Sequence, residues 1–208
     1  IILVKEETAP CRSQRKSIKP CTPFELRNWA LLLATTGLLI ANLSIEPIIY
    51  SVVENIYHQP LATTSAAGIV LSVTAFGGLL SSLLLGRLAD RYGASRIAMY
   101  GFATGALLII PQAFATDVYT LMLLRFSMGL ALGGVLPCLK SALKHTYANP
   151  GDLGRALGLS TSFQYIGQVA GPLIGSAVAT SLGINFTFYI TAAFALACAL
   201  LLGLTQQG

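Results

Sequence analysis

Charged residues are scarce in this sequence: Asp, Glu, Lys and Arg make up 10% of its 208 residues, against 54% hydrophobic residues. A soluble domain typically carries about 25% charged residues, so the composition excludes an ordinary soluble domain. The sequence also lacks HExxH and GxSG motifs, and no pair of acidic residues lies within its apolar runs. Nothing in the chain therefore predicts an enzyme.

Cysteine is sparse as well, and its four positions predict no metal site. Cys11 and Cys21 lie in a polar N-terminal stretch, whereas Cys138 and Cys198 lie within apolar runs. Their spacing matches no zinc or redox motif. We therefore expect neither a metal nor another cofactor.

The chain does contain six long apolar runs with almost no charge inside them. They cover about 28–52, 66–86, 95–115, 118–142, 154–180 and 184–205. A helix needs roughly 20 apolar residues to cross a bilayer, and in lipid only internally hydrogen-bonded structures are stable. The sequence predicts an all-α membrane protein whose residues 28–206 form a unit of six transmembrane helices.

The basic residues predict the orientation of these helices. Of the 13 Lys and Arg residues, all but Arg125 fall on one side of the six runs. They are Lys5, Arg12, Arg15, Lys16, Lys19, Arg27, Arg87, Arg91, Arg96, Lys140, Lys144 and Arg155. By the positive-inside rule that side is cytoplasmic, which puts both ends of a multi-pass plasma-membrane protein in the cytoplasm. The net charge of +5 is then explained by the orientation of the helices in the membrane, and we expect no nucleic-acid partner.

The first 27 residues differ from the rest. Residues 1–4, IILV, are predicted to be the end of a preceding helix. Residues 5–27 combine Pro10, Pro20 and Pro23 with basic residues and are predicted to be a cytoplasmic linker.

The segment GRLADRYGASR, residues 86–96, is predicted to be a charged loop between the second and third helices. A glycine at 86 permits close approach of these helices, and Asp90 is placed to cap a helix N-terminus or to pair with an arginine. The alternative is a short turn that only fixes topology. The candidate residues of this loop are Gly86, Arg87, Asp90, Arg91, Gly93 and Arg96.

Two ionisable residues, Glu46 and Arg125, lie inside predicted helices at nearly the same depth. Such residues are costly in lipid and usually face a cavity or a partner. At 100° per residue, Thr35, Asn42, Glu46 and Tyr50 share one helix face. Three alternatives stay open for the two charges: a fixed ion pair, a pair linked to protons or substrate, and no contact.

Small residues recur at four-residue spacing in the fourth and fifth helices. Arg125, Gly129 and Gly133 share one face of the fourth, which favours close helix packing. In the fifth, Gln164 and Gln168 lie near a similar face, where Pro172 predicts a bend. The glycines of that face are Gly167, Gly171 and Gly175.

These elements, in this order, resemble the major facilitator superfamily of transporters. The loop at 86–96 resembles the signature loop of this family, and its fourth-helix motif resembles Arg125-xxx-Gly129-xxx-Gly133. The antiporter motif of its drug exporters resembles Gly167-xxx-Gly171-Pro172-xx-Gly175, except that this chain has Ser176 where the motif has glycine. Within the family, the chain is most similar to bacterial drug:proton antiporters.

The resemblance implies a C-terminal six-helix half, a 3+3 inverted repeat, working against an N-terminal half in the bacterial inner membrane. It implies alternating access, with a cytoplasmic gate at 86–96, an arginine at 125 facing the cavity, and proton-driven export of small lipophilic compounds. A cavity for protons and substrate is then expected at Asn42, Glu46, Arg125, Gln164 and Gln168.

Two other functions are possible from the sequence. One is a facilitator for a metabolite such as a sugar or an organic anion, in which Arg125 and Lys140 contact the anion. The other is a channel, which the absence of any filter-like loop between the helices argues against.

Overall fold

The computed structural model describes residues 26–57, 60–146 and 150–204. These ranges contain helices and short turns and no strand. The predicted helix end at 1–4 and all but the end of the linker at 5–27 lie outside the described residues. The helices are α1 (Leu26–Leu43), α2 (Glu46–Tyr57), α3 (Pro60–Tyr92), α4 (Ala94–Ile109), a 3-10 helix (Ile110–Phe114), α5 (Val118–Leu132), α6 (Val135–Thr146), α7 (Pro150–Leu182) and α8 (Ile184–Leu204).

The first and fourth predicted spans are each divided into two helices by a short turn. The breaks fall at residues 44–45, between α1 and α2, and at 133–134, between α5 and α6. Each break lies in the turn before a proline, Pro47 or Pro137. Proline donates no backbone hydrogen bond and its ring collides with the carbonyl four residues earlier, so the helix opens at that turn.

Five runs in the described part of the chain are long and apolar enough to cross a membrane. They are Asn28–Ile56, Thr63–Tyr92, Ala94–Phe114, Val118–Thr146 and Ile184–Leu204. The predicted span at 154–180 lies within α7, which has 33 residues and is about 50 Å long at 1.5 Å per residue. This helix is long enough to cross a membrane, but its many Gly, Ser, Thr and Gln residues make it less apolar than the other five runs.

A repeat with a constant offset of 90 residues runs through the fold. Helices α3 and α7 both have 33 residues and begin at Pro60 and Pro150. Both end just before a glycine with positive φ, Gly93 at 95° and Gly183 at 102°. The pattern of buried and exposed residues over 71–80 recurs residue for residue over 161–170. Three crossings carry a chain to the opposite side of a membrane, so the second copy is inverted.

The two copies interlock through equivalent contacts. Helix α3 packs on α5, α1 on α7, and α4 on α8. A Cβ at Gly77 would lie 2.5 Å from the Phe126 carbonyl oxygen, and a Cβ at Gly167 would lie 2.7 Å from that of Thr36. Both contacts put a helix backbone directly against its neighbour, as small residues allow in membranes. With α1–α2 and α5–α6 each counted as one broken membrane helix, and the 3-10 helix counted with α4, the fold is an all-α unit of six membrane helices. These helices form two interlocked repeats of three.

The charged segment at 86–96 is mostly helix, which corrects the predicted loop. Helix α3 continues to Tyr92 and α4 begins at Ala94, so Gly93 alone forms the turn. Its φ of 95° is open to glycine and strained for other residues. Most charges of the segment therefore lie on the last turns of a helix.

Candidate functional site

The break in the first span places Glu46 in the first turn of α2, where the helix dipole favours a negative charge. The Glu46 side chain is exposed on the isolated six-helix unit. Asn42 is half-buried, and its Nδ2 donates a hydrogen bond to the Leu38 carbonyl at 3.1 Å. Tyr50 is 40% exposed. These three residues form a polar surface on both sides of the break.

Thr35, predicted on the same polar face, lies in the core instead. It is 1% exposed and donates a hydrogen bond to the Leu31 carbonyl at 2.9 Å. Thr35 and Asn42 both precede the break and lie seven residues apart on one face of α1, so this face is buried at Thr35 and half-buried at Asn42.

Arg125 is the largest fully buried side chain in the described part of the chain, at 1% exposure. Its Nε and Nη2 have no hydrogen-bond partner there. A buried guanidinium with unpaired donors is costly in a medium of low dielectric constant. A buried arginine with unpaired donors therefore requires a nearby negative charge or another acceptor.

Glu46 supplies a counter-charge at a distance. The carboxylate and the Arg125 guanidinium act on each other electrostatically. No direct ion pair joins them in the part of the chain that the structure describes. The two charged groups therefore lie on different helices, α2 and α5, and are too far apart for a hydrogen bond.

Gln164 and Gln168 lie on α7, one turn apart, and both are half-buried. Helix α7 packs on α1, where the Thr36 hydroxyl donates a hydrogen bond to the Phe163 carbonyl at 2.9 Å. The two amides therefore belong to a helix adjacent to the one that carries Asn42. Three apolar side chains of α7, Leu159, Ile166 and Leu173, are exposed at 37%, 56% and 64%.

The predicted glycine faces make close helix contacts. A Cβ at Gly129 would overlap the Thr74 carbonyl, and one at Gly133 would overlap Gly78, both on α3. On α7, Gly167 and Gly171 meet α1, and Gly175 meets the Ser44 carbonyl at the break between α1 and α2. Helix α7 continues through Pro172 without interruption.

The charged residues of the candidate gate lie on the surface of the six-helix unit. Arg87, Asp90, Arg91 and Arg96 are exposed, and the Arg91 guanidinium lies 5.6 Å from the centre of the Tyr92 ring. Asp90 does not cap α4, because the N-cap of that helix is Gly93 without a side-chain hydrogen bond. The predicted close approach at Gly86 is not made either, since a Cβ there would meet no described atom within 4 Å.

The structure adds two buried polar residues that the sequence analysis missed, Ser81 and Gln112. Ser81 donates to the Leu130 carbonyl at 2.6 Å and accepts from the Gly134 N–H at 2.9 Å, at the break between α5 and α6. Gln112 is 1% exposed in the 3-10 helix. Its signal in the sequence is a single amide inside the apolar run 95–115.

The comparisons with known proteins agree with this architecture. The sequence profile described as Major Facilitator Superfamily matches residues 30–206. The chain is 35% identical over 180 residues to the Uncharacterized MFS-type transporter YuxJ of Bacillus subtilis, covering 86% of the chain and 45% of that protein. It is 35% identical over 163 residues to Multidrug resistance protein MdtG of Serratia proteamaculans, covering 78% of the chain and 39% of that protein.

A second protein named MdtG, from Enterobacter lignolyticus, is 33% identical over 178 residues, covering 86% of the chain and 42% of that protein. The chain thus spans less than half the length of these curated relatives. Two interlocked repeats of membrane helices define a secondary-transporter fold. The chain belongs to the major facilitator superfamily, and its six helices form one half of that fold.

Proposed function

We propose that the chain is the C-terminal half of a proton-coupled exporter of small lipophilic compounds. An N-terminal six-helix half completes the transporter, which lies in the bacterial inner membrane with both ends in the cytoplasm. The multidrug resistance proteins among its relatives, at 33–35% identity, support the substrate class. The charge arrangement at Glu46 and Arg125 supports the coupling to protons.

The coupling step uses the separation of the two charges. An ionised Glu46 stabilises the buried Arg125 guanidinium electrostatically. When a proton neutralises the carboxylate, the guanidinium loses this stabilisation while its Nε and Nη2 still lack partners. A conformation that gives Arg125 another acceptor or water is then favoured. Proton binding thereby biases the equilibrium between two states of the transporter.

Other residues of this half supply a surface for the substrate and a surface for contact with the other half. Asn42, Gln164 and Gln168 are uncharged amides on neighbouring helices, suited to weak hydrogen bonds with varied substrates. The exposed charges Arg87, Asp90 and Arg91 are available to contact the other half at the basic end. In the proposed cycle these contacts form when that end closes and break when it opens.

Proton-gradient-driven efflux tests the proposal. The complete gene that encodes the chain is expressed, and extrusion of a lipophilic dye is measured in membrane vesicles for wild type, Glu46→Gln and Asp117→Asn. Asp117 is an exposed acid at the N-cap of α5 and serves as the matched control. We expect wild type and Asp117→Asn to extrude the dye and Glu46→Gln to lose gradient-dependent extrusion. Extrusion that survives in Glu46→Gln contradicts the role of this carboxylate in coupling.

A second candidate is transport of a metabolite anion, and the unpaired donors of Arg125 favour it. Nε and Nη2 together are suited to two-point binding of a carboxylate. Lys140, half-buried on α6, supplies further positive charge. If the vesicles move no dye under any gradient but take up a labelled organic anion, and Arg125→Gln abolishes that uptake, the anion facilitator replaces the exporter.

A further inference from the structure

The turn between α1 and α2 is tied to α8 by a buried pair of hydroxyl groups. Ser44 Oγ lies 3.0 Å from Thr191 Oγ1, so one hydroxyl donates a hydrogen bond to the other. Both side chains are buried, at 2% and 4% exposure. Leaving a buried hydroxyl without a partner is costly, which favours this geometry over others. The pair therefore holds the Ser44 side chain in place relative to α8.

Ser44 is held from a second side by α7. A Cβ at Gly175 would overlap the Ser44 carbonyl, so the backbone of α7 lies directly against this turn. The Ser44 N–H donates to the Ile40 carbonyl of α1 at 3.0 Å. Contacts from α1, α7 and α8 thus meet at one residue just before α2, which makes Ser44 the pivot between α1 and α2.

Helix α2 carries Glu46 two residues after this pivot. The buried side chains Ile48, Ile49 and Val53 pack α2 into the apolar core. Hydrophobic packing is non-directional, whereas a hydrogen bond has a preferred length and angle. The hydroxyl pair is therefore suited to restrict the rotation of α2 about the turn.

The second repeat contains the same kind of break without this pair. At the offset of 90 residues between the repeats, Ser44 corresponds to Gly134. Thr191 corresponds to Gly101, so neither position supplies a hydroxyl at the break between α5 and α6. The residue that corresponds to the acid of α2 is Leu136. The bridge thus occurs at the break that carries an ionisable side chain.

We propose that Thr191 is a positioning residue, whose hydrogen bond to Ser44 sets the angle between α1 and α2. That angle sets the separation of the Glu46 carboxylate from the Arg125 guanidinium, two groups that act on each other electrostatically. Without the Thr191 hydroxyl, the Ser44 hydroxyl turns back to a carbonyl of α1, a hydrogen bond that bends helices. The effect on transport rests on the proposed proton-coupled function, whereas the effect on the angle does not.

A distance measurement across the break tests the geometry. Spin labels are attached at Leu33→Cys on α1 and Asn55→Cys on α2 in the complete protein in nanodiscs, with its other accessible cysteines replaced by serine. Both positions are exposed, and they lie about 33 Å apart along the span at 1.5 Å per residue. We expect Thr191→Val to shift or broaden the distance distribution from double electron–electron resonance. Thr191→Ser keeps the hydroxyl and should match wild type. An unchanged distribution in Thr191→Val overturns the proposal.

Two further variants separate the bridge from a general effect on folding. Thr187→Val is the control, because Thr187 is buried on the same helix and its hydroxyl has no partner in the described part of the chain. It should leave the distances as in wild type. Ser44→Ala should reproduce the change seen in Thr191→Val, and the double variant should show no further change, since both substitutions remove the same interaction. The same change in Thr187→Val, or additive changes in the double variant, overturns the proposal.

Transport by the same variants, without the spin labels, tests the consequence for coupling. We expect Thr191→Val to lower proton-gradient-driven extrusion of dye about tenfold, while movement of the dye down its own gradient persists. Thr191→Ser should retain both activities. Full gradient-driven extrusion in Thr191→Val overturns the positioning role, as does an equal loss of downhill movement, because a folding defect lowers both.

The outcome for Glu46→Gln distinguishes this proposal from the proposed function. If Glu46→Gln keeps gradient-driven extrusion, the proposed coupling through this carboxylate fails. The distance measurement then still decides whether Thr191 sets the angle between α1 and α2.

Discussion

The Ser81 hydroxyl lies between the Leu130 carbonyl and the Gly134 N–H, the two groups that an unbroken α-helix joins directly. At the equivalent break 90 residues earlier, Ser44 N–H donates straight to the Ile40 carbonyl at 3.0 Å. The residue equivalent to Ser81 is Gly171, on α7 of the second repeat, which packs on α1 and has no hydroxyl. One side chain therefore makes the two breaks different: a serine is inserted into the backbone ladder of α5 but not into that of α1.

Replacing this serine should weaken the half. Ser81→Ala removes two hydrogen bonds and leaves the Leu130 carbonyl and Gly134 N–H to close on each other incompletely. We expect a loss of about 1 kcal/mol in the free energy of unfolding, measured by thermal unfolding in detergent. Ser82→Ala is the matched control, because Ser82 is exposed and bonds only to Leu79 of its own helix. Equal stability of the two variants contradicts the structural role of Ser81.

The packing of α7 on α1 should depend on Gly167. A methyl group there would lie 2.7 Å from the Thr36 carbonyl oxygen and 2.8 Å from the Leu39 Cβ. We expect Gly167→Ala to lower the free energy of unfolding by about 1–3 kcal/mol. Gly158→Ala, on the same helix with open space around it, should be neutral or slightly stabilising. A comparison of their melting temperatures decides, and similar values for both would argue against tight packing at 167.

The turn between α3 and α4 should tolerate only glycine at position 93. Its φ of 95° is strained for a residue with a Cβ, so Gly93→Ala is expected to lose about 1–2 kcal/mol of stability. Gly86→Ala provides the control, since that residue is inside α3 with no atom within 4 Å of its Cβ position. Chemical denaturation of both variants measures the difference. The turn assignment fails if Gly93→Ala is as stable as Gly86→Ala.

Glu46 and Arg125 should show coupled effects on stability. A double-mutant cycle with Glu46→Gln and Arg125→Gln is expected to give a coupling of about 0.5–1 kcal/mol, because the charges interact without direct contact. A second cycle pairs Arg125→Gln with Asp117→Asn, on the same helix as the arginine, and should give none. Equal coupling in both cycles would mean that Glu46 is not the counter-charge.

The predicted orientation can be tested by cysteine labelling. In a background with Cys11→Ser and Cys21→Ser, a membrane-impermeant maleimide should label Thr116→Cys from outside intact cells. Ser95→Cys should be labelled only after permeabilisation. The native Cys138 and Cys198 are buried and should stay unlabelled. Labelling of Ser95→Cys in intact cells would reverse the topology.

Much of the fold follows from local sequence. The apolar runs located the helices because length and hydropathy act along the chain. The prolines at 47 and 137 account for both breaks, because each removes a backbone donor and collides with the preceding turn. The charged segment was predicted as a loop because charges favour water, whereas residues up to Tyr92 are helical and only Gly93 forms the turn.

The candidate site depends more on tertiary structure. Helical periodicity put Thr35 on the polar face with Asn42 and Glu46, but the packing of neighbouring helices buries Thr35. The sequence placed Arg125 at the depth of Glu46 without deciding its surroundings, and packing decided that it is fully buried. Ser81 gave no pattern in the sequence, because its partners lie beside it on another helix, and Gln112 gave only a single amide inside an apolar run.

The sequence by itself determined that this protein is a bundle of membrane helices with its basic residues at one end, because hydropathy and charge are properties of each segment alone. Only the tertiary structure decided how the two repeats interlock. Gly77 on Phe126 and Gly167 on Thr36 are contacts between residues far apart in the chain. Burial, hydrogen-bond satisfaction and charge pairing depend on such neighbours, and these three properties define the candidate sites.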